Sequence, residues 1–263
     1  MRRYEKNVKI SVVFSIKFEY ENRRFIFASL VIIYFLKNTQ QNMLSRKIIT
    51  TKDGASSIHI PEWNEQYHST HGAIQEARHV YLESGLFFVE RREISILEIG
   101  LGTGLNCFLT FLEAEKRAIQ VNYTAYEAYP VTPEEVKQLN YIELLSKQHR
   151  TVFERIHRSK WSEKTALSGR FCFEKRPDKF QTIDDVNQYD LIYFDAFGPR
   201  VQPELWTEAI FHNMYQSLKK GGVLVTYSSK GSVRRAMLSV GFKVEKIPGP
   251  PGKREMLRAV KVN

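Results

Sequence analysis

The stretch ISILEIGLGTGLNCFLTFLEAEKRA, residues 94–118, decides the fold. Its first part, ISILEIG, is a short apolar run typical of a buried strand, and residues 105–118 have the pattern of a helix. Three glycines, Gly100, Gly102 and Gly104, lie between the two. A strand, a glycine turn and a helix in this order predict a ligand site at the helix N-terminus, where a ligand can approach the backbone closely.

The alternation of short apolar runs with helical segments continues to the end of the chain. It predicts an α/β fold with a seven-stranded, mostly parallel sheet and helices on both faces. We expect a helix over residues 203–220 closed by Gly221 and Gly222, and another over 232–240 closed by Gly241. The further strands are expected at 122–128 and near Phe171, Ile192, Leu224, Val244 and the C-terminal MLRAVKV.

The residues before the glycine turn form two further segments. Residues 43–85 are expected to be an N-terminal annex of the catalytic domain, which itself covers 86–263. The annex contains GAIQEARHVYLES, which predicts a helix that ends at Gly85.

Later in the chain, Thr132, Pro133 and Glu135 have the spacing of a helix N-cap with a capping box.

Residues 1–42 differ from the rest, being rich in Ile, Phe, Tyr, Lys and Asn and without Gly or Pro. Their longest apolar run, residues 25–36, is shorter than the ~20 residues that a membrane-spanning helix needs. It also lacks the small-residue cleavage site of a signal peptide. We therefore expect no membrane segment, and we interpret 1–42 as a poorly defined extension in front of a natural start at Met43.

Cysteine and charge content bound the function further. Cys107 and Cys172 are the only cysteines, which excludes a disulfide framework and favours a reducing, cytoplasmic location. His68 and His71 lack a third ligand at defined spacing, so we expect no metal. Residues 213–263 hold eleven Lys/Arg and two Asp/Glu. This surplus of positive charge indicates either a solvated face or a surface for nucleic acid.

The glycine turn excludes two common nucleotide sites. The third glycine of a dinucleotide fingerprint would stand at position 105, which is Leu105, and no Gly-Lys-Ser/Thr of a P-loop follows. Glu98 with G-x-G-x-G resembles motif I of the class I S-adenosylmethionine (SAM)-dependent methyltransferases. The resemblance implies that SAM is the cofactor and that Glu98 and the three glycines bind it. It also implies that Glu127 binds the ribose diol and that Asp178 binds the adenine amino group.

A carboxylate ends the apolar strand in DLIYFDAFGPRVQPELW, residues 190–206. In an open α/β sheet the carboxyl ends of the strands share one edge, so Asp195 is expected beside the glycine turn. At that place it would lie near the transferable methyl group rather than the adenine. Asp195 is therefore our candidate catalytic residue, against the alternative that it only caps a helix or braces a loop. Trp206 is expected to be a core residue.

Several motifs that follow one another in the same order make the resemblance specific to one methyltransferase family. YHSTHGAIQEARHVYLESGL, LEIGLGTGLN, DAFGPRVQPELW and the segment from GGVLVTYSSKG to GPPGKREML resemble the methyltransferase domain of the MnmC family. That family implies methylation of 5-aminomethyl-(2-thio)uridine at the tRNA wobble position, with the anticodon stem-loop as partner. The flavin-dependent oxidase domain of bifunctional MnmC has no counterpart in these residues, so we expect the stand-alone form.

The sheet edge and one C-terminal loop indicate residues on the substrate side. Tyr227 and Ser228 end the fifth strand and are expected to line a nucleoside pocket, while Lys253, Arg254 and Glu255 follow a stiff GPPG loop. Their two cations suit phosphate contacts. Tyr67, Ser69 and Glu76 match the N-terminal motif of the family and are expected to close over the cofactor.

The protonation of an amine substrate supports a catalytic role for the Asp195 carboxylate. A primary alkylamine has a pKa of ~10, so it arrives as a cation next to a cationic sulfonium. A carboxylate between them offsets the repulsion, orients the nitrogen and accepts its proton. Two alternatives remain open: an aminopropyltransferase resembling spermidine synthase, and a non-catalytic RNA-binding module on the same fold.

Overall fold

Eleven strands form two sheets in the computed structural model, which describes residues 44–262. The expected extension 1–42 lies outside the described residues. In chain order the strands are β1 (Lys47–Thr50), β2 (Ser56–Ile60), β3 (Glu65–Gln66), β4 (Glu93–Ile99), β5 (Gln120–Tyr126), β6 (Thr165–Ala166), β7 (Phe171–Arg176), β8 (Tyr189–Phe194), β9 (Leu218–Thr226), β10 (Phe242–Pro248) and β11 (Glu255–Lys261). Strands β1 to β3 make a small antiparallel sheet in the annex.

The main sheet has the order β10-β11-β9-β8-β4-β5-β7-β6. Its five central strands, β9 to β7, are parallel, and β10, β11 and β6 are antiparallel to their neighbours. The seven predicted strands are confirmed, and the two-residue strand β6 is an addition. The chain runs outward in one direction from β4 and in the other from β8. Ligands of such sheets bind at this switch point, beyond the carboxyl ends of β4 and β8.

Helical segments cover both faces of the main sheet. They are α1 (Ala73–Ala77), a π-helix (Arg78–Leu86), α2 (Phe87–Val89), α3 (Leu105–Arg117), α4 (Pro133–Val136), α5 (Tyr141–Leu145), α6 (Arg150–Arg158), α7 (Glu208–Ser217) and α8 (Gly231–Ser239). The capping box is confirmed: Thr132 Oγ1 accepts from Glu135 N, and the Glu135 carboxylate accepts from Thr132 N. Within residues 44–262, no helix is long and apolar enough to cross a membrane.

The uninterrupted apolar run of β8 follows from burial on both faces. Leu191 and Tyr193 lie in one core cluster, with α3, α6 and the π-helix. Ile192 and Phe194 lie in the other, with α7 and α8. Successive side chains of a strand point to opposite faces, and here neither face is open to water.

Two predicted helix ends are wrong. The helix expected to stop at Gly85 continues to Val89, because Gly85 provides space for close packing rather than a C-cap. A Cβ on Gly85 would lie 3.1 Å from Val225 Cγ2 and 3.3 Å from Tyr193 Cε1. The helix expected to end at Gly221 and Gly222 ends at Ser217, and both glycines lie inside β9. The segment 203–206 is a separate 3₁₀ turn.

The close packing at Gly85 gives a stability prediction. Gly85→Val is expected to lower the free energy of unfolding by about 1–3 kcal/mol, because the added methyl groups must displace β8 and β9. Gly169→Val is the matched control, since Gly169 is exposed and a Cβ there meets nothing within 4 Å. Urea denaturation of both variants measures the difference. Equal stabilities would show that the contact at Gly85 does not constrain the helix.

Candidate active site

The glycine turn between β4 and α3 adopts a backbone that favours glycine. Gly100, Gly102 and Gly104 have φ values of +90°, +50° and +74°. A Cβ on Gly100 would lie 3.0 Å from the carbonyl oxygen of Asp195, and one on Gly102 would lie 3.1 Å from the ring of Tyr67. The turn is therefore in contact with the loop after β8 and with the annex, as the shared sheet edge predicts.

Glu127 directly follows β5 and reaches back to this turn. Its two carboxylate oxygens accept from Gly102 N at 2.8 Å and from Tyr129 N at 2.7 Å. Burial raises its pKa, while the two backbone hydrogen bonds act in the opposite direction. The side chain is only partly buried, and each carboxylate oxygen has a further lone pair. These lone pairs suit the two hydroxyls of a ribose.

A cleft of about 520 Å³ lies beside Glu127 and Gly102. Helices α4 to α6, with His157 among their residues, line it together with Trp161 in the loop after α6 and Lys175 of β7. Asp178, which we expected at the adenine, is exposed in the loop after β7. The left-handed glycine turn, the oriented Glu127 carboxylate and the adjacent cleft fit the shape and hydrogen-bonding groups of SAM.

Asp195 immediately follows β8 and is held by two donors. Tyr81 Oη donates to its Oδ1 at 2.5 Å, and Asn106 Nδ2 donates to its Oδ2 at 2.8 Å. Its backbone N also donates to Ile99 O at 3.0 Å, which fixes it beside the glycine turn. The side chain is partly exposed, whereas Tyr81 is 2% exposed. Both carboxylate oxygens are therefore held by a donor, while part of the side chain stays accessible.

The pKa of Asp195 is raised to about 7. Burial is the largest cause, and the negative charge of Glu76 acts in the same direction. The hydrogen bonds from Tyr81 and Asn106 and the charge of Lys253 partly offset it. A carboxylate with this pKa is suited to accept a proton near neutral pH.

Three further side chains lie near Asp195, namely Glu76, Tyr227 and Lys253. Lys253 Nζ donates to Glu76 Oε1 at 2.8 Å and lies 4.1 Å from the ring centroid of Tyr227. Tyr227 Oη donates to Ala196 O at 2.8 Å. The structure thus brings Tyr227, Lys253 and Glu76 to Asp195.

The other residues expected on the substrate side are placed differently. Ser228 is buried at the end of β9. Arg254 is exposed, and Glu255 accepts from Lys246 Nζ at 2.8 Å across the β10–β11 pair. Their assignment to substrate binding stays a prediction.

The annex contacts the loop after β8 through aromatic rings. Phe197 packs edge-on against Trp63 at 5.4 Å and against Tyr67 at 5.0 Å between ring centroids. Arg200 donates to the Glu65 carboxylate at 2.8 Å and to the carbonyl oxygens of Trp63 and Asn64. Trp206 is 5% exposed and donates to Phe197 O, as expected for a core residue.

His68 is a buried link between the annex and the glycine turn. Its Nδ1 lies 3.0 Å from Ser57 Oγ and its Nε2 lies 3.4 Å from Thr103 Oγ1. Burial lowers its pKa to about 4, so the ring is neutral at physiological pH. In the part of the chain that the structure describes, no group of His, Cys, Asp and Glu could hold a metal ion.

The comparisons with known proteins agree with this geometry. The family described as S-adenosyl-L-methionine-dependent methyltransferase matches residues 136–262. The structure of MNMC2 from Aquifex aeolicus covers 98% of this chain and 84% of its own, with a TM-score of 0.67 and 24% identity. The chain has the fold of the class I SAM-dependent methyltransferases, and the match over residues 136–262 indicates an enzyme that uses SAM as its cofactor.

Its curated relatives include the tRNA 5-methylaminomethyl-2-thiouridine biosynthesis bifunctional protein MnmC. The protein from Paraburkholderia xenovorans is 27% identical over 212 residues, which are 75% of this chain and 32% of that protein. The protein from Marinomonas sp. is 29% identical over 225 residues, which are 78% of this chain and 32% of that protein. The chain therefore spans about a third of the length of these relatives, and the resemblance to MnmC is confirmed for its methyltransferase part.

The raised pKa of Asp195 predicts the pH dependence of kcat/KM. If the ionised carboxylate accepts the proton, kcat/KM for the tRNA substrate rises with pH through a midpoint near 7. Initial rates of methyl transfer at a tRNA concentration well below KM measure it. A rate that is flat across this midpoint would contradict proton transfer to Asp195 in the rate-limiting step.

Proposed function

We propose that the protein transfers a methyl group from SAM to the 5-aminomethyl nitrogen of (2-thio)uridine at the wobble position of tRNA. The product is the 5-methylaminomethyl nucleoside, formed with S-adenosylhomocysteine. The names of the curated relatives support the substrate class. Because tRNA is the substrate, we place the reaction in the cytoplasm and take the anticodon stem-loop as the partner.

The arrangement of Asp195 is the observation that carries this proposal. Bound SAM supplies an electrophilic methyl group on a sulfonium. The amine is mostly protonated at neutral pH, with a pKa of ~10, and a carboxylate is needed beside it. Tyr81 and Asn106 each donate to one oxygen of Asp195, so each oxygen keeps a free lone pair and the side chain stays partly exposed. Asp195 holds the amine, removes one proton and leaves a nitrogen lone pair to attack the methyl carbon.

We assign the cofactor side of this site to the glycine turn and its neighbours. Glu127 would hold the ribose diol, with its orientation fixed by Gly102 N and Tyr129 N. Asp178, in the loop after β7, is proposed for the adenine amino group, because the carboxyl ends of β5 and β7 share an edge. Glu98, which the sequence predicts at the cofactor, lies in β4 beneath the turn with 0% exposure, so its side chain is not accessible to a ligand.

On the substrate side, the C-terminal segment supplies the positive charge. Residues 213–263 carry eleven basic and two acidic side chains, which suits a polyanionic substrate. Tyr227 and Ser228 are proposed at the nucleoside, and Lys253, Arg254 and Glu255 at its surroundings. Lys253 is the best supported of these, since it lies over Tyr227 and interacts with Asp195.

Nucleoside mass spectrometry of tRNA from a strain lacking the gene tests the proposed function. We expect 5-aminomethyluridine, or its 2-thio form, to accumulate and the methylated nucleoside to disappear. A plasmid carrying the wild-type gene should restore it, and one carrying Asp195→Ala should not. An unchanged nucleoside profile in the deletion strain would contradict the assigned substrate.

A further inference from the structure

Glu98 stands out as a buried acid without a counterion. It lies in β4 with 0% exposure. Among residues 44–262, neither of its carboxylate oxygens has a hydrogen-bond partner of ordinary geometry. Burial raises its pKa well above the usual range and the charge of Asp195 adds to this, while the neighbouring side chains of Tyr123 and Asn106 act in the opposite direction. An ionised carboxylate in such a place is costly, so the neutral acid is the stable form.

Two other unsatisfied polar atoms lie next to it. Asn106 Oδ1 and Tyr123 Oη are also buried without a hydrogen-bond partner in the described part of the chain. The strand register explains why they meet. Glu98 pairs with Ala125 and Ile96 pairs with Tyr123, so Glu98 and Tyr123 face the same side of the sheet. Asn106 lies in the first turn of α3, which packs on that side.

The hydrogen-bonding capacities of the three groups complement each other. A neutral carboxylic acid has one O–H donor and one carbonyl acceptor. Its O–H suits Asn106 Oδ1, which can only accept, and its carbonyl suits the O–H of Tyr123. An ionised carboxylate has no donor and would leave Asn106 Oδ1 facing a negative charge.

The orientation of Asn106 follows from its other contact. Its Nδ2 lies 2.8 Å from Asp195 Oδ2, and an ionised carboxylate only accepts. The amide nitrogen must therefore face Asp195 and the amide oxygen must face the side of Glu98. On its other oxygen, Asp195 accepts from Tyr81, whose ring lies 5.1 Å from that of Tyr193.

We infer that Glu98 is a neutral carboxylic acid that joins Tyr123 to Asn106 and thereby fixes the amide that orients Asp195. Glu98 is then a positioning residue for methyl transfer rather than a ligand of the cofactor. The role assigned to it rests on the proposed function of Asp195. Its neutrality does not, because it follows from the packing of β4, β5 and α3.

Other charged and titratable groups lie close to Asp195 and Glu98, and they affect the pKa of these two carboxyl groups. Around Asp195 they come from α1, the π-helix, β9 and the β10–β11 loop, and around Glu98 from β5, β8 and α3. They are Glu76, Tyr81, Tyr227 and Lys253 at Asp195, and Glu127, Tyr123, Tyr193 and Cys107 at Glu98.

Two variants of the full chain test the inference through turnover. Glu98→Met keeps the volume but removes both hydrogen bonds, and we expect kcat to fall at least about tenfold with a nearly unchanged KM for SAM. Glu98→Gln offers a donor and an acceptor, so it should restore most of that loss and keep the pH midpoint of kcat/KM. If Glu98→Gln is as inactive as Glu98→Met, or lowers the midpoint by about one unit, Glu98 is ionised and the inference is wrong.

Infrared difference spectroscopy tests the neutrality without any activity. The spectrum of wild type minus Glu98→Gln should contain the carbonyl stretch of a protonated carboxylic acid at neutral pH. A carboxylate band in its place overturns the inference, even if Glu98→Met does not fold. If wild type fails to methylate aminomethylated tRNA but shows the acid band, the proposed function fails and the neutral Glu98 stands.

Discussion

Asp195→Asn is expected to lower kcat for methyl transfer to aminomethylated tRNA by about 10²–10⁴-fold, the usual contribution of a general base. The variant keeps the size of the side chain but loses the charge that attracts the ammonium and the site that accepts its proton. Affinity for SAM should change little, because we propose Asp195 at the methyl group and Glu127, not Asp195, at the ribose. Single-turnover rates and calorimetric binding of SAM separate the two effects.

The stability of the same variant serves as its control. The folded-state pKa of Asp195 is about 7 and its unfolded value is ~3.9, so the folded protein binds the proton more tightly. Its contribution to stability is present below pH ~3.9 and is lost as the pH rises through about 7. Asparagine does not ionise, so the free energy of unfolding at pH 8 should not fall. Wild-type turnover in a folded Asp195→Asn protein would refute the assignment.

Glu127→Ala is expected to raise the dissociation constant of SAM by about 10²-fold. The change removes the carboxylate that holds Gly102 N and Tyr129 N, and hydrogen bonds to charged groups contribute about 1.5–3 kcal/mol each. It also removes the proposed partner of the ribose hydroxyls. Equilibrium dialysis with labelled SAM measures the affinity directly.

Glu134→Gln is the matched control for this prediction. Glu134 is an exposed carboxylate in the first turn of α4, a few residues after Glu127. We expect the affinity of the Glu134→Gln variant for SAM to stay within about twofold of wild type, since exposed surface charges contribute little interaction energy. An equal loss in both variants would point to a general charge effect. Unchanged affinity in Glu127→Ala would contradict the ribose assignment.

The order of elements could be predicted from the sequence because local patterns determine it. The glycine turn and the apolar run before Asp195 predict β4, α3 and β8 where the structure has them. The ends of two helices could not be predicted in this way. Gly85 and Gly221 resemble C-caps in the sequence, yet one gives room for β9 beneath a helix and the other lies within a strand. Those roles depend on packing between distant segments.

The candidate site could be predicted only where a residue ends a strand. The positions of Asp195 and Glu127 beside the glycine turn could be predicted because the carboxyl ends of parallel strands share an edge. Tyr81 and Asn106 were missed, since they meet Asp195 across 114 and 89 residues of chain. Asn106 stands two positions after Gly104, in the first turn of α3. This position next to the predicted ligand site could have indicated its role. Tyr81 has no such local signal.

The reaction proposed for this site is methylation of an aminomethyl nitrogen on tRNA. Its most direct test is transfer of the labelled methyl group of SAM to tRNA carrying 5-aminomethyl-2-thiouridine. Unmodified tRNA, tRNA already bearing the methylaminomethyl group and putrescine serve as alternative acceptors. We predict label on the aminomethylated tRNA alone, recovered as the 5-methylaminomethyl nucleoside. Label on putrescine, or SAM binding without transfer to the aminomethylated tRNA, would contradict the claim.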